Sequence, residues 1–114
     1  AQRIAEAAGA TATVTFGRST PVTINPPALT RRMLPTLQQV TPDVAEVPLF
    51  TTAEDFSFYQ RAVPGLFVFL GITPPDLVGT AEANHSGRFL VDERALVTGV
   101  RTLAYLATDY LEGQ

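Results

Sequence analysis

The stretch Leu66-Phe67-Val68-Phe69-Leu70-Gly71-Ile72 is continuously apolar and rich in Phe and Val. It constrains the fold more than any other part of the sequence. A run of this length is far too short to span a bilayer. An exposed sheet would alternate apolar and polar residues. An unbroken apolar run instead suits a strand covered on both faces. The run therefore predicts a parallel or mixed sheet flanked by helices.

The flanking segments fit that expectation. Residues 1–8 read as the end of a helix, with Gly9 as its stop, because glycine tolerates the left-handed conformation. Residues 10–16 alternate Thr with Ala12, Val14 and Phe16, the pattern of a strand with one buried face. Residues 17–27 break every periodicity and hold three prolines, so they read as a connector between two structural units. Leu29, Met33, Leu34, Leu37 and Val40 return at helical spacing. Pro27 suits the first turn of that helix, whereas Pro35 is expected to kink or shorten it. Residues 44–50 are a candidate short strand. Residues 52–61 read as a short helix, with Thr52 as cap and Asp55 three residues on. A long loop over 73–89 holds the only histidine of the chain. A final helix is expected to start at Asp92 and to bury a stripe of Leu96, Val100, Leu103, Ala107 and Tyr110 or Leu111.

Composition excludes several function classes. The chain has 114 residues, 46% hydrophobic and 17% charged, an ordinary globular balance. Net charge is −3 and only Arg31 and Arg32 are adjacent basic residues, so no nucleic-acid footprint is present. Neither a membrane partner nor a secretory leader is indicated. There is no Cys, hence no disulfide framework and no thiolate metal site. A cytoplasmic location is the expectation. The first residue is Ala1 and the chain opens on a helical pattern, which leads to the expectation of further sequence upstream.

Few residues carry chemistry by themselves. His85, in Asn84-His85-Ser86, is a good donor for zinc or manganese and lies between a buried strand and a helix. A single histidine without ligand spacing around it is more often a surface or packing residue. Glu54 and Asp55 are adjacent carboxylates, fit for an active-site rim or for simple compensation of a helix dipole. Phe56, Phe58, Tyr59, Phe67 and Phe69 can line an aromatic pocket, but aromatics in such elements usually form core. Arg88 can bind a substrate carboxylate or serve as a solvated loop residue.

Taken together and in order, Thr52-Ala53-Glu54-Asp55-Phe56-Ser57-Phe58-Tyr59, Val63-Pro64-Gly65-Leu66-Phe67-Val68-Phe69-Leu70-Gly71, Asn84-His85-Ser86, Arg88-Phe89 and Asp92-Glu93 resemble a C-terminal pattern. The pattern is that of metal-dependent amidohydrolases and carboxypeptidases, among them hippurate hydrolase, aminoacylase-like enzymes and auxin-conjugate hydrolases. Three positions depart from it: Thr52 stands where Gly is usual, and Ala83 and Gly87 stand where Pro is usual.

The resemblance implies an α/β fold, present here as an α+β fragment. Residues 1–18 would be the last helix and strand of a lid or dimerisation domain, and 19–26 the connector. Residues 27–114 would be the C-terminal part of a catalytic domain with a helix-flanked mixed sheet. It implies a two-metal hydrolase of N-acyl amino acids or small peptides, using zinc or manganese, with self-association or homodimer formation. His85 would be the single metal ligand supplied here, and Glu54, Asp55, Asn84 and Ser86 the rim. No catalytic group falls in this stretch. The alternative is a non-catalytic dimerisation or binding module, or a truncated gene product that retains only the fold.

Overall fold

The structure is a computed structural model that describes residues 1–17 and 19–113. Arg18, the end of the expected lid segment, and Gln114, the end of the expected catalytic segment, lie outside the described residues. The elements in order are α1 (Gln2–Ala7), α2 (Pro27–Val40), α3 (Phe56–Gln60), a single 3₁₀ turn (Pro75–Leu77) and α4 (Arg94–Glu112).

Helix ends follow the local sequence closely. Gly9 adopts φ 70° after α1. The amide of Gly9 donates to the Glu6 carbonyl, and that of Ala10 to the Ala5 carbonyl. This double bond closes the helix as a Schellman motif, which needs a left-handed residue where Gly9 stands. Pro27 is the first residue of α2, where a missing N–H costs nothing. Pro35 sits inside α2 without ending it, and the helix runs on to Val40. Helix α4 begins at Arg94 with Glu93 as its N-cap, so Asp92, the expected cap, stands one residue before that position; its Oδ1 still accepts the Arg94 amide at 3.0 Å. The Arg94 guanidinium also donates to both carboxylate oxygens of Asp92. The side-chain hydrogen bond from Arg94, followed by that of its amide, holds the Asp92 carboxyl below its usual range.

The expected α/β sheet is not there. Among the described residues there is no strand: 10–16, 44–50 and 66–72 all lack a ladder. The physical reason is non-locality. A helix satisfies its N–H and C=O groups within one segment, whereas a strand satisfies them only against a neighbour. No two of these three segments pair. The fold class read from sequence is therefore corrected to helices joined by irregular chain.

The packing is correspondingly thin. The radius of gyration is 19.9 Å and the extents are 63 × 38 × 19 Å. A compact domain of this length would have a radius of gyration of about 13 Å. The only packed pair of helices among the described residues is α2 with α4. Met33 on α2 is the one buried hydrophobic residue among the described residues. Beside it Thr36 is buried, and its hydroxyl donates to Asp109 Oδ2 at 2.6 Å. Arg32 closes the seam: it donates to the Tyr110 carbonyl at 2.8 Å and lies 4.5 Å from the Tyr110 ring centroid.

The covered face of α4 is not the expected one. Its half-buried positions are Ala95, Thr98, Gly99, Thr102, Leu106 and Asp109, mostly small or polar. The stripe expected to be buried is open instead, with Leu96 55%, Val100 70%, Leu103 71% and Leu111 82% exposed. The helical period was read correctly. The half-buried stripe is a different one from that expected.

Candidate functional site

The acidic pair lies at the start of α3. The expected capping box from Thr52 to Asp55 does not form, because the helix begins at Phe56. Asp55 is the N-cap but makes no side-chain cap bond, and Glu54, one residue earlier, supplies the side-chain acceptor. Its Oε1 accepts the Phe56 amide at 3.0 Å. Its backbone carbonyl accepts the Ser57 hydroxyl at 2.6 Å, and Ser57 is fully buried. Glu54 is half-buried and Asp55 is exposed. One oxygen of Glu54 thus serves the helix, while the Asp55 carboxylate faces solvent.

Behind α3 the chain turns at Arg61-Ala62 and bends at Val63, and Pro64-Gly65 then lead into the apolar run. Gly65 is needed there for space: a Cβ would meet the Phe56 ring at 2.9 Å and Gln60 Cγ at 3.2 Å. Phe56 and Phe67 lie 5.6 Å apart, Phe67 and Phe69 5.2 Å, and Phe50 and Phe69 5.5 Å, all between ring centroids. Phe67 and Phe69 therefore share one side of the run. Leu70 lies on α4, within 3.0 Å of where a Gly99 Cβ would stand. These aromatics form a partly open cluster, with Phe50 and Phe69 each 61% exposed, and no closed acyl pocket.

The histidine loop is tied at its base. The Asp92 amide donates to the Ile72 carbonyl at 2.8 Å, so residues 73–91 leave and return at one point. At the tip, the Ser86 amide donates to the Ala83 carbonyl at 3.2 Å, with Asn84 and His85 in the middle of the turn. His85 has φ 70° and is the one non-glycine residue of positive φ among the described residues. That is the third position of a type II turn, where glycine or asparagine is usual. A side chain held there carries local strain, which is typical of functional sites. The next turn follows at once, with the Phe89 amide on the Ser86 carbonyl at 3.1 Å. Ser86 Oγ accepts the Arg88 amide at 3.2 Å. Arg88 itself pairs with Glu82, a partner the sequence did not single out.

Asn84 and His85 are exposed and Ser86 is half-buried. Both turn geometry and exposure leave the imidazole free of packing duties. No group of three His, Cys, Asp or Glu side chains able to hold a metal exists among the described residues. The structure therefore does not bring His85 and the acidic pair into one coordination sphere.

Two residues escaped the sequence reading altogether. Asn25 and Gln60 tie the connector to α3 and to the apolar run. The Asn25 Nδ2 donates to the Phe67 carbonyl at 2.7 Å, and its Oδ1 accepts the Phe67 amide at 2.7 Å. Asn25-Pro26-Pro27 reads only as a turn-rich connector in sequence, and nothing there marks the carboxamide as bonded 42 residues away.

Comparison with known proteins places these features. The model of peptidase family M20/M25/M40 matches residues 3–109. Thermostable carboxypeptidase 2 of Saccharolobus solfataricus is 36% identical over 103 residues, 90% of this chain and 26% of its own length. The putative amidohydrolase YhaA of Bacillus subtilis is 30% identical over 110 residues, 90% of this chain and 26% of its own. IAA-amino acid hydrolase ILR1-like 6 of Arabidopsis thaliana is 39% identical over 64 residues, 56% of this chain and 14% of its own. The chain thus spans about a quarter, or less, of the length of these relatives. No solved structure matches it.

Proposed function

This chain belongs to peptidase family M20/M25/M40, and from that premise we propose that it is one part of a metal-dependent hydrolase that cleaves the amide bond of N-acyl amino acids or small peptides. The observation that carries the reading is the family match over nearly the whole chain. Relatives named carboxypeptidase, amidohydrolase and IAA-amino acid hydrolase support the substrate class.

A divalent metal, zinc or manganese, would supply Lewis-acid activation of the carbonyl and of water when bound. The donor set in this chain does not fit such a site alone. A catalytic zinc takes about three protein ligands, and the described residues offer no such group. No step is therefore routed through a metal here. What this chain contributes is narrower. His85 presents one imidazole at the tip of a tied loop. Asn84 and Ser86 hold the turn around it. Glu54 and Asp55 form an acidic rim at the start of α3, with Asp55 open to solvent. The remaining ligands and the group that moves the proton would come from sequence outside these residues.

The test uses a longer coding sequence that includes this stretch. Metal content and hydrolysis of N-acyl amino acids are measured in the purified protein and in two variants. His85→Ala is expected to lose one metal equivalent and most activity. Asp55→Asn is expected to lose activity while keeping its metal. Full metal occupancy in His85→Ala, with metal loss in Asp55→Asn, would reverse the assignment. A second reading, a non-catalytic association module, is favoured by the open stripe on α4. It predicts a metal-free, inactive longer protein.

A further inference from the structure

The network at Asn25 does more than tether a connector. Residue Phe67 offers its N–H and its C=O to the same partner, the Asn25 carboxamide, both at 2.7 Å. A neighbouring strand residue in an antiparallel ladder makes this same double exchange. A carboxamide carries both a donor and an acceptor and can imitate it; a carboxylate accepts only, and an ammonium donates only. The bonding to Phe67 also fixes which end of the amide is oxygen.

Gln60 extends the network. Its Nε2 donates to the Gly65 carbonyl at 2.8 Å and to Asn25 Oδ1 at 3.4 Å. Its Oε1 accepts the Ile24 amide at 3.0 Å. The last residue of α3, the backbone at Gly65, the apolar run and the connector therefore meet at two side-chain amides. Both amides are half-buried, which favours their bonds over exchange with water. The acidic pair stands at the other end of α3, only one helical turn and a half away. The histidine loop leaves the far end of the run, where Ile72 is tied to Asp92.

We infer that Asn25, with Gln60, is a positioning clamp that replaces a strand neighbour at Phe67 and so sets the acidic pair on α3 relative to the His85 loop. The clamp itself stands on the contacts above. Only the meaning of what it positions rests on the hydrolase reading, so the test is built without activity.

The chain has no Cys, so spin labels can be placed cleanly at Ala53→Cys and Ala83→Cys, both exposed and outside the clamp. Electron–electron distance measurements follow the separation of the two sites. Amide exchange at Phe67 and Ile24 follows the clamp. With Asn25→Ala, both amides are expected to exchange at least about tenfold faster, and the label-to-label distribution is expected to broaden or shift. Faster exchange with an unchanged distribution would overturn the positioning role, and unchanged exchange would overturn the clamp.

Asn25→Asp covers the case in which the alanine variant fails to fold. A protonated carboxyl regains one donor and one acceptor, whereas the carboxylate cannot donate to the Phe67 carbonyl. The label distribution of this variant is expected to return toward that of the parent chain as pH falls through the ordinary Asp range, about 3.9. The parent chain serves as the control over the same range. A variant distribution that does not change with pH relative to that control would contradict the clamp. None of these outcomes depends on hydrolysis, so failure of the clamp and failure of the functional reading are distinguished.

Discussion

The helix pair α2–α4 and the apolar run 66–72 both carry residues whose spacing asks for cover, and they meet opposite fates. The helices form as the sequence predicts and find each other, burying Met33 and Thr36 between them. The run stays irregular, held by one side-chain amide at Phe67 and one backbone bond at Ile72. The difference is where each element finds its hydrogen bonds. A helix needs only its own residues, and a strand needs a neighbour. Residues 10–16 are a harsher case of the same rule: they also lack a ladder, and Phe16 is 91% exposed.

The strongest way to break this contrast is to attack the seam. Met33→Ala removes the one hydrophobic side chain buried among the described residues and is expected to cost about 2–5 kcal/mol. Urea unfolding followed by circular dichroism would read it. A loss below about 0.5 kcal/mol would mean that α2 and α4 do not depend on each other. Thr36→Val comes next. It leaves the half-buried Asp109 carboxylate without its 2.6 Å donor, at an expected cost of about 1–3 kcal/mol. The same unfolding experiment applies, and a neutral result would place the Thr36–Asp109 bond outside the energetics of the seam.

A smaller effect belongs to Asp92. Its carboxyl is held low by Arg94, so its contribution is present above the unfolded carboxylate range. It is lost as pH falls through the lower folded value. The first turn of α4 should therefore fray on acidification below about pH 4. Amide exchange at Arg94 is the readout, and Asp92→Asn should flatten the dependence. Smallest in stability, yet informative, is the open stripe. Val100→Glu and Leu103→Glu should change folding free energy by less than about 0.5 kcal/mol, since both side chains are exposed. They should also reduce concentration-dependent association in sedimentation experiments, because exposed apolar stripes drive it. Destabilisation with no change in association would show that the stripe is covered within the chain.

What was legible in the sequence divides along the same line. Gly9 and Pro27 announce helix ends because capping is decided within a few residues, and each acts as read, while Asp92 marks the start of α4 to within two residues and binds the Arg94 amide from one position before the cap. The family pattern was legible for a similar reason, as contiguous motifs around Glu54-Asp55 and Asn84-His85-Ser86. The sheet was misread because an apolar run states a demand for cover, not who supplies it. The face of α4 was misread because Leu96, Val100 and Leu103 show a helical period without showing which stripe meets α2. Asn25 was invisible because its partner is 42 residues away and its neighbours, two prolines, speak only of a turn. The strain at His85 was equally hidden, since nothing in Asn84-His85-Ser86 specifies a positive φ.

The most direct test is catalytic and uses the chain by itself. His85 is one donor, and one imidazole does not make a coordination sphere. Residues 1–114 supplied with excess zinc or manganese are therefore expected to show no turnover of an N-acyl amino acid above the metal-only control. Turnover by this chain that His85→Ala abolishes would contradict the claim that it holds only part of a hydrolytic site.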